Sequence, residues 1–445
     1  MGKVLVVGGG FAGLSAATAL AEAGHRVELL ESRNALGGRV YSIPSTESFP
    51  APCDNGPHLL MGCYHETLRL FDRIGAAEPF RWIDPLKLSW LLPGGQKVSL
   101  NCAPLPAPFH LAFGLLTSNA FPWAEKIRLA KALSAFSQQP FHLASGIITV
   151  DQFLKVTGQG PAARERFWLP ICNAVMNVGP EEALIAGLGQ VLHRVFFGNR
   201  RDSALAVTTR PLSELGFPQG IAYLKERDCS VLFGEGIQSF QTDEKHFQLT
   251  SRTGKKFTGE ALIWAVPPSS LLALWPQGTW PALQEVPRLG KSPIVSVNLI
   301  LSLPVIDQDL VGLSGAQFEW VFNRASNWGW KGEGQYLSLV ASAAEKLARG
   351  TEKELVDLAF GELKDRCIKA REATVLHAKV IREMAATFRW SPGSDALRLP
   401  CETPYPKVFL AGDWTATGLP ATIEGACLSG HQAAEKTQAA LEKIE

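Results

Sequence analysis

An α/β fold is predicted, in which a dinucleotide-binding domain is assembled from separate stretches of the chain and interleaved with a helical cap and a second sheet domain. Three observations predict it. The run KVLVVGGGFAGLSAATALAEAGHRVELLES (3–32) reads as a buried strand, a glycine turn, a helix and a second strand ending in an acid. The strand-like runs ALIWAVPP (261–268) and KVFLAGDW (407–414) return to that domain far along the chain. Between them, IVSVNLIL (294–301), FEWVFNRA (318–325), YLSLVASA (336–343) and VLHAKVIREMAATFRW (375–390) carry the strand patterning of a different sheet.

The first run holds the most chemistry. Gly8, Gly10 and Gly13 form G-x-G-x-x-G. The first glycine permits the tight turn, the second lets the backbone approach a pyrophosphate, and the third lets helix and sheet pack closely. The helix that opens at Phe11 and Ala12 aims unpaired N–H groups and the positive end of its dipole at the phosphates. Glu31 closes the second strand, beside Ser32. An acid there hydrogen-bonds a ribose 2′-hydroxyl and repels a 2′-phosphate, so NAD or FAD is expected rather than NADP.

After Glu31 comes a second glycine turn, Gly37-Gly38-Arg39. CDNGPHLLMGCYHETLRLFDRIG (53–75) reads as a loop followed by an amphipathic helix. From 85 to 204 prolines punctuate short helix-like runs such as AEKIRLAKALSAFSQ (124–138), with little strand patterning, and a mainly helical cap is expected. Within it LPAPFHLAFGLL (105–116) is unusually apolar, either as cap core or as an exposed patch that touches a membrane or admits a lipid. GFPQGIAYLKER (216–227) starts a helix, and 231–268 reads as short strands with turns at Asp243-Glu244 and Thr253-Gly254. A clear helix is expected over 345–368 and another over 422–444. The domains are therefore 1–80, 205–268 and 400–445 for the dinucleotide, 85–204 for the cap, and 269–399 for an antiparallel substrate-binding sheet with its helix.

Composition narrows the function. Among 445 residues, 43 basic and 42 acidic side chains leave a net charge of +1, so nothing suggests a nucleic-acid footprint. The 12 Trp and 23 Phe, against 5 Tyr, suit an apolar cavity or a large aromatic core. The eight cysteines show no metal-binding spacing and point to a reduced, cytoplasmic chain. The first strand begins at once, leaving no room for a signal peptide, and no run of 18 apolar residues suggests a membrane span.

Read together, Gly37-Gly38-Arg39, ALIWAVPP and AGDWTATGLPATIEGACLSG (411–430) favour FAD over NAD. Asp413 ends a strand where it can reach a ribityl hydroxyl, next to Gly412. The helix starting near Thr422 points its N-terminus at the flavin's pyrimidine edge, where its dipole stabilises the charge of reduced flavin. Gly418 and Leu419-Pro420 let backbone approach the ring. No second G-x-G-x-x-G follows a later strand, so a separate electron donor is expected.

This set resembles the amine oxidase/phytoene desaturase group of FAD enzymes over essentially the full chain. Within it, DNGPHLLMGCYHETLRL and LAGDWTATGLPATIEGA resemble the bacterial squalene-associated flavoproteins, the hydroxysqualene dehydroxylases of hopanoid and carotenoid precursor synthesis; FNRA (322–325) is similar to a strand-end motif there. The resemblance implies an amine-oxidase-like FAD fold and a long isoprenoid substrate. It also implies cofactor contacts at Asn55, Gly56, Pro57, Ile237, Val266 and Ala421. It implies reductive dehydroxylation of hydroxysqualene to squalene. That reaction asks for an acid to help the hydroxyl leave, a dry pocket with π-faces for the allylic cation, and a close hydride donor. Asp54 and His58 are the candidate acids; their alternative roles are a turn-forming aspartate and a ring bonded to backbone. Tyr64 and His65 stand one helical turn further on. Trp320, Phe322, Trp328 and Trp330 are candidate pocket residues, with sheet packing as the alternative. The competing functions are a carotenoid-type desaturase, a flavin amine oxidase and a non-catalytic FAD-binding partner of a squalene-synthase-like enzyme. Association with such an enzyme, and peripheral contact with the inner face of a membrane, are expectations of the same resemblance. Arg200 and Arg201 read as solvated surface, or as an anchor to anionic lipid.

Overall fold

The computed structural model describes residues 2–76, 79–138, 148–242 and 247–442. The expected Asp243-Glu244 turn and the last residues of the C-terminal helix lie outside them.

A five-stranded parallel sheet forms around the first strand, in the order Ser230–Leu232, Arg26–Leu30, Lys3–Val7, Ala261–Trp264, Val408–Leu410. Lys3–Val7 is central and sandwiched on both faces, which is why it reads as an unbroken apolar run. Val4, Leu5 and Val6 are fully buried, each stabilising the fold by about 1.5–3 kcal/mol. Helix Phe11–Glu22 packs on this sheet and against the C-terminal helix Ile423–Glu442. Small residues set that crossing: a Cβ on Gly430 would lie 2.2 Å from the Ala12 carbonyl oxygen, and Ser15 Oγ donates to the Cys427 carbonyl at 2.9 Å. The two chain ends thus meet at one side of the parallel sheet.

The second sheet has seven strands, ordered Val375–Thr387, Ser292–Leu301, Gln335–Ala341, Trp320–Asn323, Leu310–Leu313, Lys87–Leu91, Lys97–Asn101. Neighbours are antiparallel except Leu310–Leu313 with Lys87–Leu91. Helix Glu352–Arg366 covers one face with Leu355, Ala359 and Leu363, and starts at a capping box between Thr351 and Glu354. It occupies less than the expected 345–368, because Leu347–Arg349 forms a separate turn. FNRA is divided: Phe322 and Asn323 end a strand, and Arg324 starts a one-turn helix.

The expectation of little strand in 85–204 is corrected by Lys87–Leu91 and Lys97–Asn101. They form a hairpin at the edge of the seven-stranded sheet. KLSWL and KVSLN alternate, with Leu88, Trp90, Val98 and Leu100 buried and Ser89 and Ser99 less so, but over five residues each the period is short beside the proline-rich run that follows. Helices Phe109–Thr117, Trp123–Ser134, Val150–Val156, Leu169–Met176 and Ile185–Phe197 then build the cap. A three-stranded sheet of Leu59–Met61, Leu205–Thr208 and Phe80–Ile83 ties the cap to the first domain.

Candidate active site

One cavity of about 540 Å³ runs from the glycine turn to the underside of the cap. Gly8, Gly10, Phe11, Ala12, Glu31, Ser32, Gly38 and Arg39 line its first end. Asn55, Gly56, Pro57, His58, Val266, Gly412, Asp413, Ala421 and Thr422 line its middle. Its far end is apolar, with Leu88, Ile171, Val175, Val191, Val195, Phe196, Leu310, Trp320 and Phe322.

The three glycines of the turn differ as their roles require. Gly8 has φ +109°, and a Cβ there would lie 2.3 Å from the Ala265 carbonyl oxygen. A Cβ on Gly13 would lie 1.8 Å from the Gly8 carbonyl oxygen, so Gly13 serves helix–sheet packing and does not line the cavity. A Cβ on Gly10 would have only Gly38 Cα within 4.0 Å. Nothing in the protein requires a glycine there, and the open space beside it is the cavity. No side chain caps helix Phe11–Glu22 and no acid stands in its first turn, so its N–H groups face that space uncompensated. Glu31 braces the turn, accepting from Gly9 N–H at 2.7 Å, Ser32 Oγ at 3.0 Å and Arg33 N–H at 2.8 Å. Asn55 Oδ1 is buried with no protein partner, at the wall of the same cavity. These features fit a dinucleotide that lays its pyrophosphate against Gly10 and its ribose near Glu31.

The expected ribityl contact, Asp413, is on the cavity wall, where Arg39 Nη2 donates to its Oδ1 at 2.5 Å and holds the two glycine-rich loops together. The loop after Asp413 is shaped by Arg398, which donates to the carbonyls of Thr415 at 2.5 Å and Leu419 at 2.9 Å and lies between the rings of Phe388 and Trp390. Burial lowers its pKa to about 10. Thr422 accepts from Gly425 N–H at 3.1 Å, capping helix Ile423–Glu442 where its N-terminus meets the cavity.

Several expected contacts lie elsewhere. Ile237 is buried in a strand of a separate three-stranded sheet and does not reach the cavity. Leu419 and Pro420 line a smaller neighbouring space with Cys63 and Arg194. Trp328 and Trp330 pack edge-on against Tyr336, away from the pocket, whereas Trp320 and Phe322 face it. Their strand explains the split, since residues two apart share a face and the strand ends at Asn323.

Asp54 is corrected as the candidate acid. It is 2% exposed and off the cavity wall. Its carboxylate accepts from Arg324 Nη2 at 2.8 Å, Ser42 Oγ at 2.8 Å and Leu212 N–H at 2.9 Å. Burial raises its pKa and Arg324 opposes the shift; three donors around it suit the ionised form, which has no proton to give. Arg324 is equally buried and packs 4.3 Å from the Trp328 ring centroid. The pair anchors the strand end from which Asn55, Gly56 and His58 enter the cavity.

His58 does face the cavity. Its Nδ1 lies 2.8 Å from the Gly56 carbonyl oxygen, which makes Nδ1 the donor and leaves Nε2 a lone pair. Burial lowers its pKa to about 4. At neutral pH it is an acceptor, so its expected role as acid is also corrected. Tyr64, just before helix His65–Arg73, lines the cavity and is bonded to Thr422. Burial raises its pKa and keeps the phenol protonated. His65 instead pairs with Asp202 at 2.8 Å, on the outside of the cavity wall.

Asn177 was not anticipated. It is 1% exposed, left-handed at φ 49°, and lines the cavity. Its side chain bridges Ser292, Thr387 and Ala343, clamping cap to sheet. Its helix-ending position after Met176 is a signal that sequence offers.

A dinucleotide cleft continuous with an apolar pocket fits an oxidoreductase that holds a dinucleotide cofactor beside an apolar binding space. The chain belongs to the flavin containing amine oxidoreductase family, whose model matches residues 11–437. FAD is its cofactor and it is an FAD-dependent oxidoreductase. It is 26% identical to the hydroxysqualene dehydroxylase of Rhodopseudomonas palustris, with 98% of each chain covered. It is 25% identical to the 15-cis-phytoene desaturase of Narcissus pseudonarcissus, over 97% of this chain and 79% of that one. Putrescine oxidase has the same fold, with a TM-score of 0.74 at 14% identity over 98% of this chain and 99% of that one.

Proposed function

We propose that this enzyme replaces an allylic hydroxyl of a long isoprenoid by hydrogen, converting hydroxysqualene to squalene and water. The observation that carries the reading is the single cavity joining the dinucleotide turn to an apolar pocket under the cap. The full-length likeness to a hydroxysqualene dehydroxylase supports the substrate.

Bound and reduced, FAD supplies the hydride that forms the new C–H bond. The chain supplies the rest. Phe196, Val191 and Leu310 exclude water, so the carbon losing its hydroxyl is not recaptured as an alcohol. Trp320 and Phe322 present π-faces to the allylic cation left when the C–O bond breaks. Tyr64 Oη, kept protonated by burial, donates a hydrogen bond to the departing hydroxyl, and the proton that completes water would come with the two-electron-reduced cofactor. His58 Nε2 accepts a hydrogen bond from that hydroxyl and orients it. Turnover would call for a separate electron donor, and the apolar substrate is drawn from a membrane that the protein contacts peripherally. Cooperation with a squalene-synthase-like enzyme fits this reading.

The likeness to phytoene desaturases favours a second reading, hydride removal from a polyene in the same pocket. Anaerobic absorbance separates the two. Reduced protein that turns yellow with hydroxysqualene supports dehydroxylation. Oxidised protein that bleaches with a polyene that still carries saturated CH–CH bonds, while reduced protein stays colourless with the alcohol, establishes the desaturase.

A further inference from the structure

Residues 98–124 contain no Asp, Glu, Lys or Arg. Helix Phe109–Thr117 buries His110, Leu111, Gly114 and Leu115 against the strand Lys97–Asn101, so closely that a Cβ on Gly114 would lie 3.1 Å from the Asn101 carbonyl oxygen. Its outer face is apolar as well: Phe109 is 65% exposed, Phe113 45% and Leu116 55%. Helix Trp123–Ser134 continues the patch with Trp123, 60% exposed, and Ile127, 56%. A helix on a water-facing surface turns polar side chains outward; here the outer face of Phe109–Thr117 is the reverse.

The outward charges of helix Trp123–Ser134 are cations. Lys126 donates to the Leu116 carbonyl at 2.8 Å and lies 5.5 Å from the Trp123 ring centroid. Arg128 and Lys131 are exposed on the same helix. The acid of that turn, Glu125, is directed inward and accepts from Ala163 N–H at 2.8 Å. Large apolar side chains flanked by cations complement anionic headgroups over an acyl layer. None of the described helices is long and apolar enough to cross a membrane. The patch also sits close to the chemistry: Lys97–Asn101 pairs with Lys87–Leu91, whose Leu88 lines the cavity.

We infer that helices Phe109–Thr117 and Trp123–Ser134 form a docking face for an anionic lipid bilayer. Phe109, Phe113, Leu116, Trp123 and Ile127 enter the acyl boundary, and Lys126, Arg128 and Lys131 lie at the headgroups. This deepens the functional reading above by naming the surface through which the enzyme meets its membrane, and it rests on that reading only for the substrate.

The test is flotation of the FAD-loaded enzyme with vesicles of phosphatidylcholine and phosphatidylglycerol, and with phosphatidylcholine alone. The wild type floats with the anionic vesicles, and salt weakens the binding. The triple variant Phe109→Ser/Phe113→Ser/Trp123→Ser binds about tenfold or more weakly, and Ile127→Asp, a single exposed change, is also weakened. Both keep their flavin absorbance and their turnover of detergent-dispersed substrate. Three results overturn the inference: a wild type that stays in solution, variants that float equally well, or a wild-type dimer that the substitutions dissociate. Turnover in detergent reports on the substrate alone, so an enzyme that floats but does not convert hydroxysqualene refutes the functional reading and leaves the docking face standing.

Discussion

Gly10→Ala and Gly13→Ala, three residues apart in one turn, are expected to fail in different ways. Gly10 has φ −79° and ψ −176°, which alanine adopts without strain, and its Cβ meets only Gly38 Cα at 4.0 Å. The apoprotein should therefore keep its stability to within about 1 kcal/mol, the difference between glycine and alanine at a helix N-cap. The methyl group fills the space kept for the pyrophosphate and pushes it off the helix N-terminus. Losing two charge-assisted hydrogen bonds at about 1.5 kcal/mol each weakens FAD by about 3 kcal/mol, or about a hundredfold in Kd. Gly13→Ala instead places Cβ 1.8 Å from the Gly8 carbonyl oxygen, so helix and strand must separate and the apoprotein itself loses stability. Thermal unfolding of both apoproteins, with FAD titrations followed by flavin fluorescence, separates the two effects. Unchanged FAD affinity in Gly10→Ala would refute the assignment of that space to the cofactor.

Other expectations concern the flavin end. Asp54→Asn leaves Arg324 buried without its counter-charge and should cost about 3–5 kcal/mol in urea unfolding, most of it recovered in Asp54→Asn/Arg324→Met; a variant of normal stability that lacks turnover would restore Asp54 as the acid. Tyr64→Phe should retain FAD while slowing turnover about a hundredfold, and an unaltered rate removes Tyr64 from proton donation. His58 titrates at about 4 when folded and at 6.5 when exposed, so the unfolded chain binds the extra proton between those values. Its contribution is intact above pH 6.5 and is lost as pH falls towards 4, by at most about 3 kcal/mol. Urea unfolding of wild type and His58→Asn should diverge in that window, and parallel pH profiles would contradict the burial of a neutral ring.

Features that depend on close neighbours along the chain are legible in the amino-acid sequence alone. The glycine turn, the helix start at Phe11, Glu31 and the Gly412-Asp413 strand end follow from local geometry, and each faces the cavity. Pairing across hundreds of residues is not legible in that way. Asp54 looks like a turn residue or an acid until Arg324 is seen beside it, and nothing local in FNRA marks that arginine as its partner. Arg39 meets Asp413, and Arg398 organises the loop after it, through contacts that local sequence does not reveal. The same limit applies to Trp320 and Phe322 against Trp328 and Trp330: four aromatics in one stretch, of which the pleat and the strand end direct only the first pair into the pocket. The Lys87–Asn101 hairpin is hidden because alternation over five residues is a weak signal. The ionisation of His58 rests on burial and on one carbonyl, neither of which a sequence displays.

The most direct measurement is a single turnover in D₂O under anaerobic conditions, using photoreduced enzyme and hydroxysqualene with products weighed by mass spectrometry. The hydride position of reduced flavin exchanges with solvent, so each flavin that reoxidises should yield one squalene carrying one deuterium. Reoxidation without squalene, or squalene without deuterium, would contradict hydride transfer to the carbon that loses its hydroxyl.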